Sequence, residues 1–108
     1  MDVIPADALV VRGGRNRPED ILRGTGTHPS GVTGISVESN SGVSLEQLAR
    51  PIPHSQIGVT TVREVRAAGG DVIRTSGKSP NHATLTGLTP ELASALLTPT
   101  VANPASRS

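Results

Sequence analysis

The chain has 108 residues without a single Phe, Tyr, Trp or Cys, and its formal net charge is +1. This length fits one small domain, and its core has to be packed from aliphatic side chains. The composition excludes base stacking on aromatic rings, an aromatic cage for a quaternary ammonium ion, a disulfide framework, a catalytic thiolate and a cysteine-based zinc site.

The first third of the chain predicts two strands and a short helix. Residues 8–11 are an apolar run typical of a buried strand, and Arg12-Gly13-Gly14 follows it as a turn. Residues 18–23 begin with proline and two acids and end before a glycine, which is the order expected of a helix. Residues 24–34 predict a polar loop. The alternation of apolar and polar residues over 34–39 then predicts a second strand.

The middle of the chain predicts two helices and two strands. A capping-box pattern predicts a short helix over residues 45–49, and a second such pattern followed by apolar positions predicts a helix over 62–68. Residues 71–74 predict a strand, and 75–80 an exposed loop. The alternation over residues 82–87 predicts a third clear strand.

The end of the chain predicts a final helix over residues 90–97, introduced by a threonine cap and closed by a proline. The elements together predict an α+β fold, a small twisted sheet of antiparallel or mixed strands with short helices. We expect one domain over residues 1–101 and a flexible C-terminal tail over 102–108.

Two positions can carry chemistry because of where they stand in this pattern. Arg12 emerges from an apolar strand before two glycines, so its guanidinium can face a groove while the backbone bends closely around a ligand. His82 opens a strand among small polar neighbours, so a ring nitrogen can face a cleft. His28 and His54 lie beside prolines in predicted loops and are expected at the surface. The spacing of the three histidines matches no metal-binding pattern, so no metal is expected.

Three segments in order resemble the conserved strands of one fold. The segment from Leu9 to Gly14 looks like the first motif of the ADP-ribosyltransferases, Gly34 to Val37 is similar to their second motif with its key serine, and Asn81 to Thr86 occupies the position of the third. The pattern most resembles small ADP-ribosyltransferase-like toxins delivered between bacteria by type VI secretion. The chain is also similar to a group of short, uncharacterised bacterial proteins that share residues 58–62, 66–70 and 81–90.

This resemblance implies an NAD site and assigns its residues. Arg12, Ser36 and His82 would be the catalytic residues. The residues that would bind NAD as the cofactor are Arg12, Gly13, Gly14, Ser36 and Thr84. Most ADP-ribosyltransferases have a glutamate at the position of His82, and many place nicotinamide against an aromatic ring that this composition does not supply. His82 would hydrogen-bond a ribose hydroxyl or act as a general base.

The resemblance also implies a biological role. The chain would be a small bacterial toxin that is neutralised by a cognate antitoxin or immunity protein, acting in the cytoplasm or delivered into the cytosol of a target cell. The first five residues lack the basic and apolar regions of a signal peptide, which favours the cytoplasm. The net charge near zero gives no reason to expect DNA as a partner, and the absence of a long apolar run gives none for a membrane.

Two other interpretations stay open at this point. A non-enzymatic protein-binding or scaffold module is favoured by the few titratable groups and the lack of any strong motif, and it would use an aliphatic patch around Leu92 to Leu97. Another NAD-linked or RNA-phosphate transferase on the same fold would use Arg12 and His82 to bind phosphate.

Overall fold

A computed structural model describes residues 3–106 of the chain. Helices are interspersed with strands along these residues, and all of these elements are short. The helices are α1 (Pro18–Gly24), α2 (Leu45–Ala49), α3 (Val62–Ala67) and α4 (Pro90–Leu96). The strands are β1 (Leu9–Gly13), β2 (Gly26–Thr27), β3 (Thr33–Asn40), β4 (Gln56–Thr61), β5 (Asp71–Arg74), β6 (His82–Thr86) and β7 (Val101–Ala102).

The strands form an antiparallel sheet. Its order is β5-β6-β3-β1-β4-β7, and β2 pairs with β3 outside this path. The predicted α+β class is confirmed, and of the two predicted sheet types the antiparallel one is present. Within residues 3–106, none of the helices has the length and apolar character needed to cross a membrane.

The first face of the sheet carries the main core. Strand alternation puts Val10, Val37 and Leu85 on this face, where α1, α3 and α4 cover them. The buried aliphatic residues of this core are Ile4, Ala8, Val10, Ile21, Ile35, Val37, Val62, Val65, Val72, Ala83, Leu85, Ala93 and Leu97. Because the chain has no aromatic residues, aliphatic side chains fill this core.

The second face is divided into an apolar and a polar half. A smaller core of Val11, Leu48, Ala49 and Ile57 lies where α2 covers β1 and β4. On the neighbouring strands β3 and β6, the same alternation turns polar side chains toward this face. These are Ser36 and Glu38 on β3 and their registered partners Thr84 and His82 on β6. The polar half is the floor of the candidate site.

Most predicted elements are confirmed, with ends that differ by one or two residues. The predicted loop over 24–34 instead contains the short strand β2, and β4 and β7 were not predicted. Gly58 weakens the strand pattern of β4, yet the fold needs a glycine there, because a side chain would collide with the Leu97 carbonyl.

Local capping agrees with the sequence pattern. At α2, the Ser44 hydroxyl accepts from the Gln47 backbone N–H and the Gln47 side chain accepts from the Ser44 backbone N–H, which completes the predicted capping box. At α3, the Thr61 hydroxyl accepts from the Glu64 backbone N–H at 3.2 Å. Thr89 caps α4 in the same way. These bonds fix the residue at which each helix begins.

The segment that follows α4 packs back onto the second face. Asn103 is 5% exposed, and its side-chain amide donates to the carbonyl oxygens of Ile52 at 3.2 Å and His54 at 2.9 Å. Ala105 packs against the smaller core. The flexible tail proposed for residues 102–108 stays a prediction. Its last two residues, like the first two of the proposed domain, lie outside the described part of the chain.

Replacing Asn103 by alanine removes the donor that holds the backbone of residues 52–54. We expect Asn103→Ala to lower the free energy of unfolding by about 1–3 kcal/mol, because part-buried carbonyls lose their partner. Urea unfolding followed by circular dichroism measures this change. The exposed Ser106→Ala variant is the control, and an unchanged urea midpoint in Asn103→Ala would show that this segment does not hold the fold.

Candidate functional site

Three residues that are far apart in the sequence meet at one cleft. Arg12 on β1, Ser36 on β3 and His82 on β6 belong to three neighbouring strands of the sheet, and all three line a cleft of about 390 Å³. Gly13 lines it as well. The site residues predicted from separate motifs therefore share one surface of the protein.

Two loops form the walls of this cleft. The segment from Pro51 to His54, which follows α2, forms one wall, and Gly77, Lys78 and Ser79 from the loop between β5 and β6 form the other. Proline and isoleucine side chains make the first wall largely apolar. Lys78, the only lysine of the chain, adds a positive charge to the second. A ligand in the cleft thus meets an apolar side and a cationic side.

A second pocket of about 220 Å³ shares Ser36 and His82 with the cleft. Thr84 and His28 line this pocket, together with Ser76. Thr84 is 4% exposed, and its hydroxyl is hydrogen-bonded to the Thr75 hydroxyl at 2.9 Å. The pocket extends the site along β3 and β6 beyond His82.

Arg12 occupies the gap where β1 and β3 stop pairing. The two strands pair as far as Val11 and Glu38, and the Arg12 guanidinium then donates from Nη1 to the Ser36 carbonyl oxygen at 2.7 Å. On its other side it packs so closely against Gly24 that a side chain at that position would collide with Nη2. The Nε atom is buried and has no partner within the protein. Arg12 is therefore held between β3 and α1, and its buried Nε donor is unused.

The charge of Arg12 is balanced by its surroundings. Burial lowers the pKa of Arg12 from its ordinary value, and the Asp20 carboxylate opposes this by raising it. Asp20 is itself held ionised, because hydrogen bonds from Arg17 keep the pKa of this carboxyl well below its usual range. Arg23 also donates to Asp20, at 2.5 Å. This network on α1 supports a positive charge at the edge of the cleft.

Thr75 orients the His82 ring. Nδ1 of His82 lies 2.9 Å from the Thr75 hydroxyl and 3.3 Å from the Thr75 carbonyl oxygen. Because a carbonyl oxygen only accepts hydrogen bonds, this contact favours a proton on Nδ1 and leaves Nε2 as the acceptor in the neutral ring. The Thr75 hydroxyl is also hydrogen-bonded to the Thr84 hydroxyl, so a chain of two threonine side chains holds the imidazole. Nε2 is the atom available for proton transfer.

His28 joins two loops beside the site. Its Nδ1 accepts from the Ser30 backbone N–H at 3.0 Å, so Nε2 carries the proton and donates to the Ser76 carbonyl oxygen at 2.8 Å. The ring centroid lies 6.0 Å from that of His82. His28 was expected at the surface but is only partly exposed, whereas His54 is exposed as predicted.

The glycines after Arg12 differ in their roles. A side chain at Gly13 would collide with the His54 ring and Ile52, so glycine allows the wall of the cleft to pack closely on β1. Gly14 has a φ of 94°, which favours glycine, and its backbone N–H donates to the Gln56 carbonyl oxygen at 2.9 Å. Gly14 does not line the cleft, and its role is to form the turn that ends β1.

Glu38 lines the cleft but was not selected from the sequence. It is 8% exposed, and its Oε1 atom has no hydrogen-bond partner within the protein. The alternation of β3 could have indicated Glu38 as a site residue, because it puts residues 36 and 38 on the same face. The cleft lining therefore combines two cations and a buried carboxylate with two histidines and two serines. No group of three or more metal-binding side chains occurs among residues 3–106.

Comparisons with known proteins do not identify a relative. No protein-family model matches the chain, and neither the curated proteins nor the solved structures contain a match.

The close approach of Gly77 to the His82 ring gives a direct test of the site geometry. A Cβ atom at Gly77 would lie about 2.5 Å from Cγ of His82, so we expect Gly77→Ala to displace the ring. The side-chain ¹H–¹⁵N signals of His82 should shift. Gly26→Ala is the matched control, because it introduces its methyl group into open space. Unchanged His82 signals in Gly77→Ala would contradict this packing.

Proposed function

We propose that the cleft is the NAD site of a small transferase with an ADP-ribosyltransferase-like fold. The observation that supports this most is the convergence of Arg12, Ser36 and His82 on one cleft. These residues were selected from three separate motifs, in the order in which the resembling proteins carry their own site residues. Neighbouring strands β1, β3 and β6 bring them together.

Arg12 and Lys78 would hold the pyrophosphate of NAD. Arginine and lysine are the usual phosphate ligands, and the buried Nε of Arg12 is a donor without a partner. Ser36 is exposed at the edge of the same cleft and would orient the ribose that carries nicotinamide. These donors suit an anionic ligand that is rich in hydroxyl groups, and NAD is such a ligand.

The apolar wall would take the place of an aromatic ring. Pro51, Ile52 and Pro53 line the cleft beside Gly13, and their flat or branched surfaces can pack against nicotinamide. Asn103 fixes the backbone of this wall through its bonds to the carbonyls of residues 52 and 54. A rigid wall can orient a ligand without stacking, and orientation is a large part of what catalysis requires.

His82 would act as the general base. NAD supplies an ADP-ribosyl group bound to a neutral leaving group, nicotinamide, which departs with the electron pair of the glycosidic bond. The acceptor's oxygen or nitrogen forms the new bond to the ribose carbon, and its proton passes to Nε2 of His82. The hydrogen bonds between Nδ1 and Thr75 hold the ring in the orientation and tautomer that this transfer needs.

In the cell, such a transferase would act as a small toxin. Its substrate is present in every cytosol, so the protein would arrest growth wherever it is active, and a cognate antitoxin or immunity protein would protect the producing cell. The open cleft between residues 51–54 and 77–79 is the surface that an inhibitor of this kind would block.

Substitution of the three site residues tests both the activity and the site. We expect expression of the native chain in bacteria to arrest growth and the purified protein to consume NAD. Arg12→Ala, Ser36→Ala and His82→Ala should each relieve the arrest, and His82→Ala should slow NAD consumption by about 100-fold or more, the usual effect of losing a general base. Arg63→Ala and Ser41→Ala, at exposed positions outside the cleft, are the controls.

Two outcomes would contradict this proposal. If all three variants stay folded and toxic, the cleft is not the active site. If the native protein neither binds nor consumes NAD at millimolar concentration, NAD is not its substrate. Circular dichroism of each variant separates loss of activity from loss of structure.

A protein-binding module is the second candidate, and a surface on α1 and α4 favours it. Leu22 is 65% exposed and Leu92 is 46% exposed on these two packed helices. The aliphatic patch expected around Leu92 to Leu97 is wrong in its second half, because Leu97 is fully buried in the main core. Harmless expression of the native chain would favour this second function.

A further inference from the structure

Glu38 is a buried carboxylate whose side chain makes no hydrogen bond or ion pair within the described residues 3–106. It is 8% exposed and lies on β3 directly opposite Val11 of β1 and His82 of β6. Its Oε1 atom is fully buried and accepts no hydrogen bond from the protein. Because an unpartnered polar atom destabilises a fold, a buried carboxylate that helps neither a cap nor an ion pair points to a donor from outside the protein.

A second residue of the same cleft lining also has an unpartnered buried atom. Nε of Arg12 is a buried donor without an acceptor, whereas Oε1 of Glu38 is a buried acceptor without a donor. Both residues line the 390 Å³ cleft. A ligand that pairs with both residues has to present acceptor oxygens to Arg12 and donor hydroxyls to Glu38.

The charges around the cleft specify the ligand further. Arg12 and Lys78 are its two cationic side chains, and Glu38 is the single carboxylate among the lining residues. Arginine and lysine favour a phosphate, while a carboxylate binds the hydroxyl groups of a sugar. Ser36 and His82 lie beside Glu38 on the polar half of the second face and add further hydroxyl-binding groups.

We propose that the cleft binds phosphorylated sugars, with the Glu38 carboxylate accepting hydrogen bonds from the sugar hydroxyls while Arg12 and Lys78 hold the phosphate. Glu38 has this role whether or not the protein uses NAD, since NAD is only one molecule of this class. The Glu38 carboxylate thus serves the ligand at the expense of stability in the free protein.

Calorimetric titration with ribose 5-phosphate, ribose and inorganic phosphate tests this role. The native protein should bind ribose 5-phosphate more tightly than inorganic phosphate. In Glu38→Gln, which removes the charge and keeps the size, binding of ribose 5-phosphate should weaken about 10-fold or more, as expected for the loss of a hydrogen bond to a charged group. Binding of inorganic phosphate should change little, because Arg12 and Lys78 are intact.

Urea unfolding distinguishes a ligand-binding role from a structural one. The urea midpoint of Glu38→Gln should stay the same or rise, because the variant no longer buries a charge. Glu38→Asp, which keeps the charge and shortens its reach, should fold and also lose affinity for ribose 5-phosphate. Glu64→Gln, exposed on α3 and outside the cleft, is the control for both measurements.

Several outcomes would overturn this assignment. Equal affinity of the native protein and Glu38→Gln for ribose 5-phosphate would do so, as would a native protein that binds inorganic phosphate as tightly as ribose 5-phosphate. A lowered urea midpoint with unchanged binding would make Glu38 structural. If ribose 5-phosphate binds through Glu38 but NAD is not consumed, only the proposed transferase function fails. If NAD is consumed equally by the native protein and Glu38→Gln, only the role of Glu38 fails.

Discussion

The end of pairing between β1 and β3 shapes the whole site. The strands pair through Val11 and Glu38, and beyond this point the Arg12 guanidinium bonds to the Ser36 carbonyl. β1 continues alone along β4 as far as Gly13. Two antiparallel strands that part in this way leave backbone groups without sheet partners, and an arginine is long and polar enough to satisfy one of them. The cleft exists because the gap is bridged by a side chain instead of being closed by the ladder.

The division of the second sheet face then determines what the cleft can bind. α2 and the segment around Asn103 cover β1 and β4, whereas β3 and β6 turn Ser36, Glu38 and His82 toward the open side. The covered half supplies a rigid apolar wall, and the open half supplies the polar groups. Because no aromatic side chain is available, the wall is built from proline and isoleucine. The cleft therefore recognises a ligand mainly through charges and hydrogen bonds.

Sequence patterns predicted the helices and strands whose signals are local, together with the capping contacts at the starts of the helices. Capping at Ser44 and Thr89, and the alternation of β3 and β6, are properties of a few neighbouring residues, so they could be read without tertiary information. β4 was missed because Gly58 is required by the approach of α4 and not by the strand itself. Three of the polar residues of the site, Arg12, Ser36 and His82, were predicted from the sequence. Glu38 and the Thr75 chain depend on strand register and burial, which no local pattern contains.

An NMR titration of the ¹⁵N-labelled protein with ADP-ribose tests most directly whether this cleft is the functional site. ADP-ribose carries both the phosphate and the sugar hydroxyls that the cleft is proposed to bind. Amide signals of residues 12–13, 36–38, 77–79 and 82 should shift together and saturably, while those around Leu22 and Leu92 stay in place. Shifts confined to the surface of α1 and α4, or no shifts at millimolar ligand, would contradict the account.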